Sequence, residues 1–384
     1  MRCWIKWKRS LIKLCAVGSR LASRLPLIAA ALTTFFHQRQ PTPVPARILI
    51  AHHLLLGDTL MLTPLLAKLR ARYPTAEIVM LVRPEFYALY ATHPYGVQAV
   101  SYDPKQATSF AALRRYKGFD LALIPGDNRY SWLARALGAR WIVAFDGDRP
   151  AYKNWPVDSF SPFPQTPSTV ADMLTRLVDG PSPIPYQSSD WPPPSCDAFD
   201  LPNAPYAVLH VGAGNRLRRW EAEKWRALIA ELNTRGLRCV FSGAASDDEH
   251  IAQIDSQRKQ YSYAGKTNLP QLWHLIQNAK LLVCPDTSIA HLGRIVGTPT
   301  VALYGQGSPL LFGAGEFWRD APFQAVWLPD FPCRDQKVLF KREAEWIRRC
   351  SRTPRECPEA RCMQGIGVAP VLDAIDRLLN NARP

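Results

Sequence analysis

The sequence predicts an α/β protein of two doubly wound domains in tandem, facing a central cleft. Three observations predict it. Short apolar strands alternate with helical segments from Arg47 onward. The stretch Asp179–Pro205 then breaks the pattern, with eight prolines and almost no periodicity. Beyond it the alternation resumes and runs to the C-terminus. A chain of 384 residues is also long for one core, and roughly 150–200 residues per domain is the ordinary expectation.

In the first domain, strands are expected at Arg47–Ala51, Glu77–Val82, Gln98–Tyr102, Leu121–Pro125 and Trp141–Phe145. Helical periodicity fills the gaps at Thr59–Arg72, Ser109–Arg115 and Arg129–Leu137, and Pro84–Thr92 opens with proline in its first turn. In the second domain, strands are expected at Ala207–His210, Arg238–Ser242, Leu281–Cys284 and Thr300–Tyr304. Helices are expected at Glu221–Thr234, Asp247–Ser256, Asn268–Asn278, Thr287–Val296 and Val368–Asn380. The division is therefore an arm over 1–45, a domain over 46–178, a linker over 179–205 and a domain over 206–384.

Charge narrows the class of partner. Lys and Arg number 47 against 32 Asp and Glu, a net charge of +15. Such a balance points to a polyanion: nucleic acid, an anionic membrane or a phosphorylated substrate. The first acidic residue is Asp58, preceded by Arg2, Lys6, Lys8, Arg9, Lys13, Arg20, Arg24, Arg39 and Arg47. Within residues 1–40, Trp4, Leu11, Leu14 and Leu21 recur at helical spacing between those cations. The arm is expected to lie on an anionic membrane surface. A secretion signal or true membrane insertion through the apolar Leu25–Phe36, or a helix packed on the body, are the alternatives. Nucleic-acid binding is disfavoured, because outside the arm the cations are not interleaved with aromatics. Nine cysteines, an odd number without close pairing, fit a reducing compartment.

Three clusters carry chemistry. Gly212-Ala213-Gly214 follows a strand and leads through Asn215, Arg216, Arg218 and Arg219 to Trp220. Backbone amides and guanidinium groups at such a junction suit a phosphate, although a solvated basic loop has the same composition. A dinucleotide fingerprint would need a third glycine where Leu217 stands. Asp286, Thr287, Ser288 and His291 follow an apolar strand. Asp286 is the expected helix cap, and the helix end would favour an anion. Gly57 and Asp58 form a turn from the first strand into a helix, and Asp58 is the candidate general base. Helix-end amides are expected to keep it ionised and therefore weakly basic. Asp146-Gly147-Asp148 is read as a turn, with a divalent-ion pair as the alternative. Cys333, Cys350, Cys357 and Cys362 cluster within 333–362 without a C-x-x-C, which leaves zinc open.

From Arg47 onward the chain resembles the family 9 glycosyltransferases, the ADP-heptose:lipopolysaccharide heptosyltransferases. Four blocks carry the resemblance: Gly57-Asp58 with Thr63-Pro64-Leu65-Leu66, His210–Trp220, Ala264–Leu269 and Val283–Gly305. The resemblance implies a GT-B architecture of two Rossmann-like domains, with the acceptor on the first and the nucleotide sugar on the second. It implies inverting transfer without a metal or cofactor. Asp58 matches the base, Arg218 stands where the family has Lys, and Asp286, Thr287 and His291 match the donor-phosphate turn. Ser288 replaces a usual Gly within that turn. Asp247 is carried over to an acidic group near the donor ribose. Arg83 and Arg129 are the acceptor-side candidates. The expected partners are a nucleoside-diphosphate sugar, a phosphorylated glycolipid and the inner face of the inner membrane, approached from the cytoplasm. Gln306, where proline is common, and a long segment Arg334–Arg349 depart from the family pattern. A sugar-nucleotide epimerase or a non-catalytic glycolipid-binding relative are the alternatives.

Overall fold

The computed structural model describes residues 25–34 and 39–381. Most of the basic arm lies outside these residues. Two parallel six-stranded sheets dominate the architecture. The first contains β1 (Arg47–Ile50), β2 (Glu77–Val82), β3 (Val97–Ser101), β4 (Leu121–Ile124), β5 (Trp141–Phe145) and β6 (Ser159–Ser161). Its order is β3-β2-β1-β4-β5-β6. The second contains β7 (Tyr206–His210), β8 (Arg238–Ser242), β9 (Tyr261–Ser262), β10 (Leu281–Pro285), β11 (Thr300–Tyr304) and β12 (Phe323–Trp327). It repeats the same topology as β9-β8-β7-β10-β11-β12. This is the doubly wound order of a GT-B protein with two Rossmann-like sheets.

The strands form where apolar runs can be buried on both faces, as parallel sheets require. In β1, Ile48, Leu49 and Ile50 are all fully buried, and Ile48 pairs with Ile78 on one side and Leu121 on the other. Each sheet reverses direction beside its first strand, between β1 and β4 and between β7 and β10. Loops leaving those strands diverge there and open a crevice.

Several expected elements differ in detail. The helix expected over Thr59–Arg72 is two helices, Leu56–Leu60 and Thr63–Arg72. Pro64 has no N–H to continue the first ladder, and Thr63 donates its hydroxyl to the Leu60 carbonyl at the break. Pro84–Tyr90 is a 3₁₀ helix. The short strands β6, β9 and β12 were not expected; two or three residues carry too little periodicity to read, and β12 is only half-buried.

The Pro-rich stretch is tied to both sheets. Trp191 is buried between Tyr90, 4.8 Å away by ring centroids, and Trp273 at 5.7 Å. Each such aromatic pair is worth about 0.5–1.5 kcal/mol. Trp191 Nε1 donates to the Leu89 carbonyl, and the Tyr186 hydroxyl donates to the Ile295 carbonyl. Prolines here stiffen a joint and leave the packing to Tyr186 and Trp191.

The helix over residues 25–34 lies on the first sheet's outer core. Ala31 is fully buried and Thr34 donates to the Arg135 carbonyl. Leu25, Ile28 and Leu32 face outward, at 63%, 42% and 50% exposure. Among the described residues, no helix is long and apolar enough to cross a membrane.

Candidate active site

The two crevices meet in one cleft of about 510 Å³. From the first half, Gly57 and Asp58 line it; from the second, Arg218, Asp286, Thr287, Ser288 and His291 do. Clusters far apart in the sequence are therefore brought together.

Asp58 is the third residue of the helix Leu56–Leu60, not its cap. Burial pushes its carboxyl up to about 6, and the Asp286 carboxylate adds to the rise. Arg349, Arg218 and Arg83 oppose it. The expectation of a weak base held ionised by helix-end amides is thus corrected: desolvation outweighs the helix end, and the group is poised nearer neutrality.

The donor-side cluster sits at the start of the helix Ser288–Val296. Thr287, not Asp286, is the cap: its hydroxyl accepts from Ile289 N at 3.3 Å. Ser288 is the first helical residue, and with Thr287 it sets the positive end of this helix at the cleft. Arg218 Nη1 donates to the Asp286 carbonyl at 2.8 Å, while its buried Nε has no partner among the described residues. Burial raises the Asp286 carboxyl, and its buried Oδ2 also has no partner among the described residues. His291 is held neutral by burial and by Arg294. Its Nδ1 is bonded by an Arg294 Nη2. Arginine can only donate, so the His291 proton belongs on Nε2.

Three expected site residues are not brought into the cleft lining. Asp247 is buried in the turn after β8, where its carboxylate accepts from Ala244 N and from Arg219. Each oxygen accepts one of these bonds, and a Cβ on Gly212 would stand 2.3 Å from Oδ2. The close approach of Asp247 accounts for the glycine at 212. Arg129 is half-exposed and paired with Asp127 at 2.9 Å. Arg83 donates to the His53 carbonyl at 3.3 Å and acts on Asp58 through its charge.

The D-x-D triplet serves the fold. Asp148 accepts from Asn128 N at 2.7 Å and from Lys153 at 3.0 Å, and Asp146 accepts from Phe163 N at 2.8 Å. Three of the clustered cysteines, Cys333, Cys357 and Cys362, line a second cavity of about 340 Å³, and Cys350 is buried. Among the described residues, no three His, Cys, Asp or Glu side chains stand close enough to hold a metal.

The long segment Arg334–Arg349 proves to be part of the site. Arg334 fixes its start to the Tyr304 and Gly305 carbonyls. A hairpin of β13 (Val338–Leu339) and β14 (Arg342–Glu343) then reaches the first half. There Arg342 is buried, donating to the Gly126 and Phe145 carbonyls and to Asn128 Oδ1. Leu339, Phe340 and Arg349 line the cleft. Sequence reading missed them because the segment has no motif; its length was the available signal.

Known proteins bear on this arrangement. The profile of Glycosyltransferase family 9 (heptosyltransferase) matches residues 110–322. The chain belongs to glycosyltransferase family 9. This family 9 protein is 27% identical over 312 residues to lipopolysaccharide heptosyltransferase 3 of Escherichia coli, covering 73% of this chain and 89% of that one. Its fold is shared with a family 9 glycosyltransferase from Veillonella parvula, with TM-score 0.67, 17% identity, and 88% and 98% of the two chains covered. It is shared as well with an Escherichia coli heptosyltransferase solved with ADP, with TM-score 0.64, 16% identity, and 86% and 99% covered. Family membership makes the protein a glycosyltransferase and sets aside the epimerase and non-catalytic alternatives.

Proposed function

We propose that this family 9 enzyme transfers a heptose from ADP-heptose to a phosphorylated lipopolysaccharide core acceptor, by one displacement with inversion. The observation that carries the reading is the placement of Asp58 in the same cleft as Arg218 and the Ser288 helix start, from opposite halves of the molecule. Asp58 takes the proton of the acceptor hydroxyl. The oxygen bonds to the anomeric carbon as the bond to the diphosphate oxygen breaks, and the electron pair leaves on that oxygen. Arg218 and the positive end of the Ser288 helix stabilise the departing charge. A guanidinium ~4 Å from a phosphate is worth about 4 kcal/mol at an effective dielectric of 20, a magnitude that supports transfer without a metal.

The relatives supply the sugar: one is a lipopolysaccharide heptosyltransferase, and another was solved with ADP. The net charge of +15, the basic arm and the outward Leu25, Ile28 and Leu32 support action at the cytoplasmic face of an anionic membrane. The test is incubation with a panel of nucleotide sugars and a heptose-deficient core glycolipid, with and without EDTA. Addition of heptose from the ADP sugar in both conditions supports the reading. Transfer that disappears with EDTA and returns with manganese overturns the metal-free mechanism.

A further inference from the structure

Arg349 stands in the cleft as a cation with no carboxylate in direct contact among the described residues. Among the described residues its guanidinium makes no hydrogen bond or ion pair, although it is half-buried beside the site. The charged group acting on it most strongly is another cation, Arg218, ahead of the carboxylates Asp58 and Asp286. Two guanidinium groups gathered in a partly desolvated cleft repel each other unless an anion lies between them.

Their separation is built into the second half of the molecule. Arg349 is held by two backbone hydrogen bonds to Gln336, at 3.0 and 3.2 Å. The next residue, Cys350, donates its N–H to the Gln306 carbonyl. The Gln306 side chain in turn accepts from Asn215 Nδ2 at 2.9 Å and donates to the Arg352 carbonyl at 2.9 Å. Asn215 caps the turn that carries Arg218. Gln306 is therefore the common support of both arginine loops. The start of the Ser288 helix faces the same space, with its own preference for an anion.

We propose that Arg349 is a second diphosphate-binding residue, closing on the leaving group opposite Arg218, with Gln306 setting the gap between them. The proposal rests on the transfer reaction above and adds a residue to it. When the bond from the anomeric carbon to the diphosphate oxygen breaks, the electron pair left on that oxygen is shared between the two guanidinium groups. Asp58 gains from the same arrangement: Arg349 is its strongest opposing charge, ahead of Arg218 and Arg83, with Asp286 acting the other way and neutral His291 adjoining.

The test uses the full-length protein and the variants Arg349→Ala and Arg349→Lys. Binding of ADP, AMP and inorganic pyrophosphate is measured by calorimetry, beside kcat and KM for both substrates. Arg349→Ala is expected to weaken ADP and pyrophosphate by about 10- to 100-fold, the usual effect of one charge-assisted bond, and AMP by less than about twofold. kcat should fall, acceptor KM should hold, and Lys should restore part of the loss. The acid limb of kcat/KM should move to higher pH in Arg349→Ala, which a merely structural role would not produce. Equal losses for ADP and AMP, unchanged pyrophosphate binding, or a change confined to acceptor KM would each overturn the assignment. Pyrophosphate separates this result from the donor's identity: a protein that ignores ADP yet binds pyrophosphate through Arg349 refutes the ADP donor and upholds the residue.

Discussion

Gly57 of the first half lies against His291 of the second. A Cβ built on Gly57 would stand 3.2 Å from His291 Cδ2 and 3.4 Å from the Ser288 Cα. This contact brings the short helix that carries Asp58 directly onto the start of the donor-side helix. Gly57→Ala should push the two helices apart by a few tenths of an ångström, and Gly57→Val by more. Positioning losses of this kind reach about 100-fold per ångström. kcat is expected to fall about 3- to 10-fold in the alanine variant and further in valine. Steady-state kinetics beside a thermal melt would check it, since the melt should move little in Gly57→Ala.

The elevated carboxyl of Asp58 sets a pH dependence. With its carboxyl near 6, kcat/KM should fall about tenfold per unit below that pH and level off above it. Asp58→Asn should remove this limb and lower turnover by about 10²–10⁴-fold at pH 8.

The same group predicts an opposite effect on stability. A carboxyl raised in the folded state favours folding fully while protonated, below its unfolded value near 3.8. That stability is lost as pH rises through about 6. Asp58→Asn should therefore unfold at higher temperature than the wild type at pH 7–8, by on the order of 1–3 kcal/mol, and show little difference near pH 4. Melting curves across that range would test the sign.

Arg342 latches the hairpin of the second half into the first. Its guanidinium also lies against the Phe145 and Phe163 rings, at 5.9 and 5.7 Å. Arg342→Ala leaves the Gly126 and Phe145 carbonyls without this donor. A loss of about 2–4 kcal/mol is expected from denaturant unfolding, together with a rise in donor KM, because Arg349 lies on the same segment.

For the arm, deleting residues 1–24 should weaken binding to anionic vesicles while sparing activity on a short soluble acceptor. Binding of the intact protein should decline as the Debye length falls from ~10 Å at 0.1 M salt to ~3 Å at 1 M. Retention on vesicles through a high-salt wash would point instead to apolar insertion around residues 25–34.

Much of the fold was legible because parallel strands are read from apolar runs, and β1, β2, β5, β8, β10 and β11 fall where those runs predict. The donor-side cluster was legible too, since a strand, a cap and a helix are adjacent in sequence at Pro285–Ser288. Contacts made across the cleft were not. Nothing local in Arg349 marks it as facing Asp58, because its position depends on Gln306 and on a hairpin pinned 216 residues away in sequence at Gly126. Asp247, carried over from the family resemblance, is held in the turn after β8 by Ala244 and Arg219, contacts that its local sequence does not show.

The most direct test of Asp58 as the base of a heptosyl transfer is product mass. Wild-type protein and Asp58→Asn are each incubated with ADP-heptose and the heptose-deficient core glycolipid, and the binding of ADP-heptose to both is measured alongside. The account predicts one added heptosyl unit with the wild type and a trace with the variant, at comparable donor affinity. Wild-type turnover in Asp58→Asn, or the absence of heptosyl addition by the wild type, would contradict it.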